Sequence, residues 1–203
     1  MKFASEKIEP VQHASSGRRD FLKAGGALGG VLMAQFPGII SAQTTTKAIK
    51  VGLVGCGGRG TGAASQALHA DDNAELTAVA DIDQSHIDRA LGTLGKIHAI
   101  GSRVKVGKTN QFLGLDAYQK LIDSGVDVVL LATPPGFRPS MFGACIAAGK
   151  HVFCEKPFAL TVADAKAAIA ACRKAGVALG VGHNRRLWPS MVKLKEVVSS
   201  KEF

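Results

Sequence analysis

The chain has 203 residues, of which 46% are hydrophobic and 20% charged, and its formal net charge is +9. These proportions are typical of a globular protein with one or two domains. Lysine and arginine are scattered, and aromatic residues make up only 5% of the chain, so the composition argues against nucleic-acid binding despite the positive charge.

The four cysteines form no CxxC pair and no metal-type pairing with histidine. We expect buried free thiols and no metal site, although the spacing leaves a disulfide open.

Residues 1–42 have the pattern of a cleaved export signal. Arg18-Arg19 precede an apolar, glycine-rich run that ends in small residues near Ala42. The paired arginines resemble the twin-arginine signal, so residues 16–42 are predicted to engage the twin-arginine export machinery and to send the protein to the periplasm or another extracytoplasmic location. The resemblance to the twin-arginine signal implies a protein that folds, and often loads a cofactor, before it is exported. The alternative is a membrane anchor, but the run is shorter than the roughly 20 residues of a spanning helix and is interrupted by Pro37.

From residue 47 onward, apolar runs alternate with helical patterns. Strands are predicted at 47–54, 75–80, 126–135, 151–155 and 177–182. Helices are predicted at 61–70, 84–99, 115–123, 138–148, 161–176 and from Pro189 onward, and residues 100–114 are predicted to be irregular. Continuous apolar strands that alternate with helices are typical of a parallel sheet covered on both faces. The pattern therefore predicts an α/β fold with a doubly wound parallel sheet.

A glycine turn, Gly55–Gly60, links the first predicted strand to the first predicted helix and fits GxGxxG. Gly55 permits a tight turn, Gly57 lets the backbone approach a pyrophosphate, and Gly60 lets the helix pack close to the strand. The helix N-terminus would then offer free N–H groups to the phosphates. The motif lies in the context expected of a dinucleotide site, with Asp81 about 20 residues later at the end of the next strand. The alternative is an ordinary glycine turn beside a solvated aspartate.

Asp81 bears on the choice between NAD and NADP. Its carboxylate can accept hydrogen bonds from both ribose hydroxyls and would repel a 2′-phosphate, which favours NAD. Arg59, inside the glycine turn, carries a guanidinium that could tolerate that phosphate, so NADP stays open.

Two predicted strands end in polar or proline-rich motifs, Thr133-Pro134-Pro135 and Glu155-Lys156-Pro157. In open α/β sheets, ligands bind beyond the carboxyl ends of the strands. Pro157 favours an extended Lys156 or a cis bond, and either would fix where the amine points. Beside a nicotinamide, that ammonium would orient a substrate hydroxyl and favour its alkoxide. The alternative is a lysine in solvent at an ordinary strand end.

These motifs together resemble the Gfo/Idh/MocA oxidoreductases, the glucose–fructose oxidoreductase and inositol dehydrogenase family. The resemblance rests on GLVGCGGRGTGAA, VADID, VDVVLLATPP, AGKHVFCEKPFAL and VGHNRR, in that order, over residues 47–200. It implies a Rossmann-type NAD(P)-binding domain at 43–183, followed at 184–203 by the start of a substrate domain. It also implies hydride transfer to or from a sugar, polyol or related hydroxyl compound.

The family resemblance assigns roles residue by residue. It implies that Lys156 is an active-site residue and that Asn184 and Arg185 lie near the nicotinamide and the substrate. Cofactor contacts are implied at Gly55, Gly57, Gly58, Arg59, Gly60, Asp81, Thr133, Pro134 and Glu155. One departure is Arg138, which stands where many relatives have a histidine a few residues after the TP motif.

The largest departure from the family pattern is length. Relatives have a second, α+β domain that supplies an aspartate and a histidine to the active site, and we expect this chain to be the cofactor-binding half of such an enzyme. We further expect a homo-oligomer when full length. Two alternatives stay open: a dinucleotide-binding module without catalysis, and a glycoside hydrolase of the same family that uses NAD as a transient oxidant.

Overall fold

The computed structural model of the protein describes residues 47–200. The predicted export signal at 1–42 lies outside the described residues. No helix within residues 47–200 is long and apolar enough to cross a membrane.

Six parallel strands form one sheet at the centre of the described part of the chain. The strands are β1 (Ile49–Val54), β2 (Ala74–Asp81), β3 (Gln111–Leu113), β4 (Val128–Leu131), β5 (His151–Cys154) and β6 (Leu179–Val181). Their order across the sheet is β3-β2-β1-β4-β5-β6, so the strand order reverses between β1 and β4. This order is that of a dinucleotide-binding doubly wound sheet, and it confirms the predicted fold class.

Helices follow most of the strands. They are α1 (Gly58–Ala70), α2 (Gln84–Gly95), α3 (Ala117–Asp123), α4 (Arg138–Ala147), α5 (Val162–Ala175) and α6 (Pro189–Ser199). Helix α5 shows how local sequence fixes such an element. The Thr161 hydroxyl accepts a hydrogen bond from the Asp164 N–H at 3.1 Å, and Gly176 ends the helix in the left-handed region at φ +68°.

The core consists of two buried apolar clusters. One contains Leu53, Leu68, Leu76, Ile87 and Leu94. The other contains Leu121, Val129, Leu131, Cys145 and Val152. Two such clusters explain why the strands carry continuous apolar runs, since a parallel sheet with helices on both faces exposes neither face to water.

The prediction that residues 100–114 are irregular was wrong in part. Gln111–Leu113 form β3 and pair with Val79–Asp81 of β2, and Val104 makes a single bridge to Leu76. A three-residue edge strand is too short to show a hydrophobic period, and its pairing depends on β2.

Some predicted bounds were wrong: two strands are much shorter than predicted, one helix begins earlier, and the helix predicted at 84–99 ends at Gly95. The run at 126–135 forms a strand only at Val128–Leu131, and Pro134 and Pro135 beyond it have no N–H to donate to a neighbouring strand. The run at 177–182 is regular only at Leu179–Val181. Helix α1 begins at Gly58, within the glycine turn, rather than at Thr61.

Candidate functional site

The glycine turn lies at the carboxyl end of β1 and carries two steric constraints. Gly55 has φ +90°, a conformation that residues with a Cβ rarely adopt. A Cβ on Gly60 would lie 1.8 Å from the Gly55 carbonyl oxygen. Only glycine can therefore bring the start of α1 this close to the end of β1, as the motif predicts.

The space beside the next two glycines is open. A Cβ built on Gly57 or on Gly58 meets no atom within 4 Å. Helix α1 begins at Gly58, and no side chain caps its N-terminus. The first N–H groups of a helix have no partner within the helix, and they carry the positive end of its dipole. This end of α1 therefore offers free donors to an anionic group.

Asp81 lies at the end of β2, next to the glycine turn. One carboxylate oxygen accepts a hydrogen bond from the Cys56 N–H at 2.6 Å. The other accepts from the Asp83 N–H at 3.1 Å and lies 3.3 Å from Nδ1 of His86. Each carboxylate oxygen has about two acceptor positions. The protein thus fixes the orientation of Asp81, and acceptor capacity remains for a ligand hydroxyl.

A cavity of about 260 Å³ opens between the glycine turn, the end of β2 and the β4–α4 connection. Its polar side chains include Asp81, His86, Tyr118 and Thr133. The remaining lining is mainly glycine and apolar, namely Val54, Gly55, Gly57, Ala80, Ile82, Gly114, Leu115, Ala117, Ala132, Pro134, Phe137 and Met141. The cavity thus brings together five of the predicted site residues, from three strand ends, at the point where the strand order reverses. An apolar pocket with a few convergent polar groups is the usual form of a small-molecule site.

Arg59 and Glu155 form an ion pair that the sequence did not indicate. Arg59 Nε donates to Glu155 Oε1 at 2.7 Å, and Nη2 lies 2.5 Å from the same oxygen. Glu155 is only 2% exposed, whereas the Arg59 side chain is 41% exposed. Since β4 and β5 lie on the opposite side of β1 from β2, Arg59 reaches away from Asp81. In this structure the Arg59 guanidinium is therefore engaged by Glu155 rather than by Asp81.

Arg138 is buried, with 6% exposure. Its Nε donates to the carbonyl oxygen of Thr133 at 2.7 Å. Its Nη1 donates to the carbonyl oxygens of Glu155 at 2.5 Å and Pro157 at 2.7 Å. The residue that departs from the family pattern thus joins the backbone of the two motifs that carry the candidate site.

Lys156 lies two residues after the end of β5, beyond Glu155, and is exposed. Its peptide bond to Pro157 is cis, one of the two arrangements expected from the sequence. Its N–H donates to Glu155 Oε2 at 3.3 Å. Within residues 47–200, the Lys156 ammonium makes no ion pair, so it is available to a ligand.

The two site residues predicted after β6 lie in a short 3-10 turn, Asn184–Leu187. Asn184 and Arg185 are both exposed, and neither lines the cavity. The Arg185 guanidinium lies 5.5 Å from the centre of the Trp188 ring, the geometry of a cation–π contact. The cavity therefore does not include these two predicted contacts.

All four cysteines are buried free thiols, as expected. Cys56 lies in the glycine turn, where burial and the Asp81 carboxylate raise the pKa of its thiol to about 12. Burial raises the pKa of the Cys145 thiol to about 12 as well. A thiol that stays protonated is a poor nucleophile, so neither cysteine is a candidate catalytic group. The described residues contain no cluster of three or more His, Cys, Asp or Glu that could hold a metal ion.

Residues 49–183 match the model of the Gfo/Idh/MocA family, described as an oxidoreductase family with an NAD-binding Rossmann fold. The chain belongs to this family. The match covers the whole sheet and both strand-end motifs, and it confirms the family and the cofactor class that the sequence indicated.

Curated relatives include sugar and inositol dehydrogenases. The chain is 33% identical over 157 residues to a myo-inositol 2-dehydrogenase of Thermotoga maritima, covering 75% of this chain and 41% of that protein. It is 36% identical over 157 residues to a D-apiose dehydrogenase of Paraburkholderia graminis, covering 75% and 37%. A glycosyl hydrolase family 109 protein of Shewanella pealeana is 29% identical over 165 residues, covering 71% and 34%. The chain thus spans about two fifths of the length of the first of these relatives.

Among solved structures, GenD2 from gentamicin A biosynthesis, crystallised with NAD, resembles the chain with a TM-score of 0.60 and 28% identity. The similarity covers 77% of this chain and 40% of GenD2. The site fits the same cofactor, because the open N-terminus of α1 suits a pyrophosphate and Asp81 suits ribose hydroxyls. The cavity between them has room for a nucleoside portion.

Proposed function

We propose that the protein is an NAD-dependent oxidoreductase that transfers a hydride between the nicotinamide and a sugar, polyol or related hydroxyl compound. One observation carries the proposal: Asp81 and the glycine turn line the same cavity at the carboxyl edge of the sheet. Lys156 does not line this cavity, but the Arg59–Glu155 ion pair joins the glycine turn to the residue before it. The dehydrogenases among the relatives support the substrate class.

The cofactor would be held by residues from three strand ends. The N-terminus of α1, at Gly57 and Gly58, would bind the pyrophosphate, and Asp81 would accept from the ribose hydroxyls. Thr133 and Pro134 would flank the cofactor beyond β4. NAD supplies a nicotinamide ring that accepts or donates a hydride. The charge of NAD would lie in a site whose groups are already held in place, because the Cys56 N–H of the glycine turn donates a hydrogen bond to Asp81.

Lys156 would act on the reacting oxygen of the substrate. Its ammonium extends from the carboxyl end of β5, where ligands of open α/β sheets bind. A hydrogen bond from Nζ to the substrate hydroxyl would stabilise the alkoxide that forms as the proton leaves. Within residues 47–200 we assign a catalytic role to Lys156 alone; the hydroxyl proton would pass to the aspartate–histidine pair of the expected second domain, while the hydride passes to the nicotinamide.

The decisive experiment compares Lys156→Ala with the unaltered protein on a panel of polyols and sugars, following NADH by absorbance. We expect kcat to fall by about 10²-fold or more, the usual contribution of one hydrogen-bond donor to a developing oxyanion, while NAD affinity changes little. Lys150→Ala is the matched control, because Lys150 directly precedes β5, at the opposite end of that strand from Lys156. Measurable activity of the unaltered full-length protein that the Lys156 variant retains in full would overturn the assignment.

A second candidate is an NAD-assisted glycoside hydrolase. It is favoured by the 29% identity to a glycosyl hydrolase family 109 protein. Such an enzyme needs no net supply of NAD, because the cofactor is reduced and reoxidised within one turnover. Release of a phenol from an aryl glycoside without added NAD, and without net NADH, would support this candidate over the dehydrogenase.

We also propose that residues 1–42 are a twin-arginine signal that directs the protein out of the cytoplasm, to the periplasm or another extracytoplasmic location. The Arg18-Arg19 pair and the apolar run after it support this proposal. Replacing Arg18-Arg19 by Lys-Lys should abolish export while folding of the cofactor domain is retained. Continued export of that variant would contradict the proposal. For the rest of the chain we propose that residues 43–183 form the cofactor domain, that residues 184–203 begin the substrate domain, and that the full-length enzyme is a homo-oligomer.

A further inference from the structure

Arg138 occupies a position that is unfavourable for a cation. It is 6% exposed and is the first residue of α4. Burial of a guanidinium removes its hydration, and the positive end of the helix dipole repels it. Within residues 47–200, no carboxylate forms an ion pair with it. Its charge must therefore be stabilised by the three carbonyl oxygens that it contacts.

The three carbonyl oxygens belong to the two motifs at the carboxyl edge of the sheet. Thr133 follows β4, whereas Glu155 and Pro157 follow β5. Two of the three flank Lys156 directly, one on each side. The guanidinium is planar and rigid, so it fixes the relative positions of its acceptors. Arg138 thus holds the backbone on both sides of Lys156 against the β4–α4 connection.

Lys156 depends on this backbone for its position. Its ammonium has no ion-pair partner among the described residues, so no charged side chain fixes the end of its chain. A reacting group misplaced by about 1 Å can lose 10²-fold in rate. Any device that fixes the Lys156 backbone therefore acts on catalysis.

We propose that Arg138 is a positioning residue for Lys156: its fork joins the Thr133 motif to both neighbours of the lysine and fixes the backbone from which the amine extends. This inference rests on the proposed function for the role of Lys156, but the restraint on the backbone can be tested without it.

The test uses Arg138→Lys in the full-length protein, with hydrogen exchange, NAD titration and steady-state kinetics. Lysine keeps the charge but cannot donate to three carbonyls from a rigid plane. We expect at least tenfold faster exchange of the Glu155 and Lys156 amides, unchanged exchange in β1 and β2, and NAD affinity within about threefold. We also expect kcat to fall at least tenfold with little change in KM. Arg173→Lys, exposed in the last turn of α5, should behave like the unaltered protein.

Unchanged exchange at Glu155 and Lys156 would overturn the inference, and so would an equal acceleration over the whole sheet, which would indicate only a loss of global stability. If Arg138→Lys does not fold, Arg138→Gln keeps two N–H donors and is tested in the same way. If the unaltered protein shows no hydride transfer but the Glu155 and Lys156 amides exchange selectively faster in the variant, the proposed function fails. The restraint that Arg138 places on the backbone around Lys156 then still stands. If the unaltered protein transfers hydride but exchange is unchanged in the variant, the proposed function stands and the restraint on the loop fails.

Discussion

Arg59 and Glu155 are 96 residues apart in the chain, and their side chains meet across the carboxyl edge of the sheet, with Arg59 Nε 2.7 Å from Glu155 Oε1. Arg59 belongs to the glycine turn, and Glu155 precedes Lys156. The pair therefore joins the part of the site that suits the pyrophosphate to the part that carries the proposed catalytic amine.

Replacing Arg59 by methionine should destabilise the fold through Glu155. The variant leaves a carboxylate that is 2% exposed without its cation, and an uncompensated buried charge is costly. Because the Arg59 side chain is 41% exposed and partly screened by water, we expect a loss of about 1–2 kcal/mol in the free energy of unfolding, measured in urea. The double variant with Glu155→Gln should recover most of that loss. A double variant no more stable than Arg59→Met would contradict the role given to the pair.

Asp81 should decide the preference between NAD and NADP. Asp81→Ala removes a charged acceptor for the ribose hydroxyls, worth about 1.5–3 kcal/mol, or roughly 10- to 100-fold in NAD affinity. The affinity for NADP should fall less or rise, because the same change removes repulsion of the 2′-phosphate. Isothermal titration calorimetry with both cofactors measures the difference. Asp123→Ala, exposed at the end of α3, is the control, and equal losses for the two cofactors would refute the assignment.

Gly60→Ala should disrupt the turn. The added Cβ would lie 1.8 Å from the Gly55 carbonyl oxygen, and that oxygen is a backbone atom while Cβ is bonded directly to Cα, so neither can move aside cheaply. We expect a loss of about 3 kcal/mol in unfolding free energy, at the upper end for overpacking, together with loss of NAD binding. Gly62→Ala is the matched control within α1. Its Cβ would only touch Arg59 Nη1 at 3.6 Å, so it should be neutral or slightly stabilising. Similar effects of the two substitutions would show that the close approach does not matter.

Stability should fall at alkaline pH through the buried thiols. The Cys56 thiol has a folded-state pKa of about 12, raised from 9.0. Because the unfolded chain loses this proton first, the contribution to stability is complete below pH 9 and is lost as pH rises toward 12. The slope is at most about 1.4 kcal/mol per pH unit for each thiol. The free energy of unfolding, measured in urea between pH 9 and pH 12, should therefore fall less steeply with pH for Cys56→Ala than for the unaltered protein. Identical slopes for the two proteins would rule out this contribution.

Some elements of the fold could be predicted because their signals are local. Thr161 and Gly176 marked the ends of α5, since capping depends only on nearby backbone groups. The failure at 100–114 has the opposite cause. Strand β3 is short and exists through its pairing with β2, which lies in a distant part of the chain.

The sequence by itself determined the strand, glycine turn and helix of the cofactor site, because GxGxxG and an acidic strand end encode backbone geometry within a short stretch. It also indicated Lys156 through its motif. Only the tertiary structure decided that Arg59 pairs with Glu155 and that Arg138 is buried among three carbonyl oxygens. The physical reason is that the direction of a long charged side chain depends on the partners that distant segments bring to it, and neither periodicity nor turn chemistry specifies those partners.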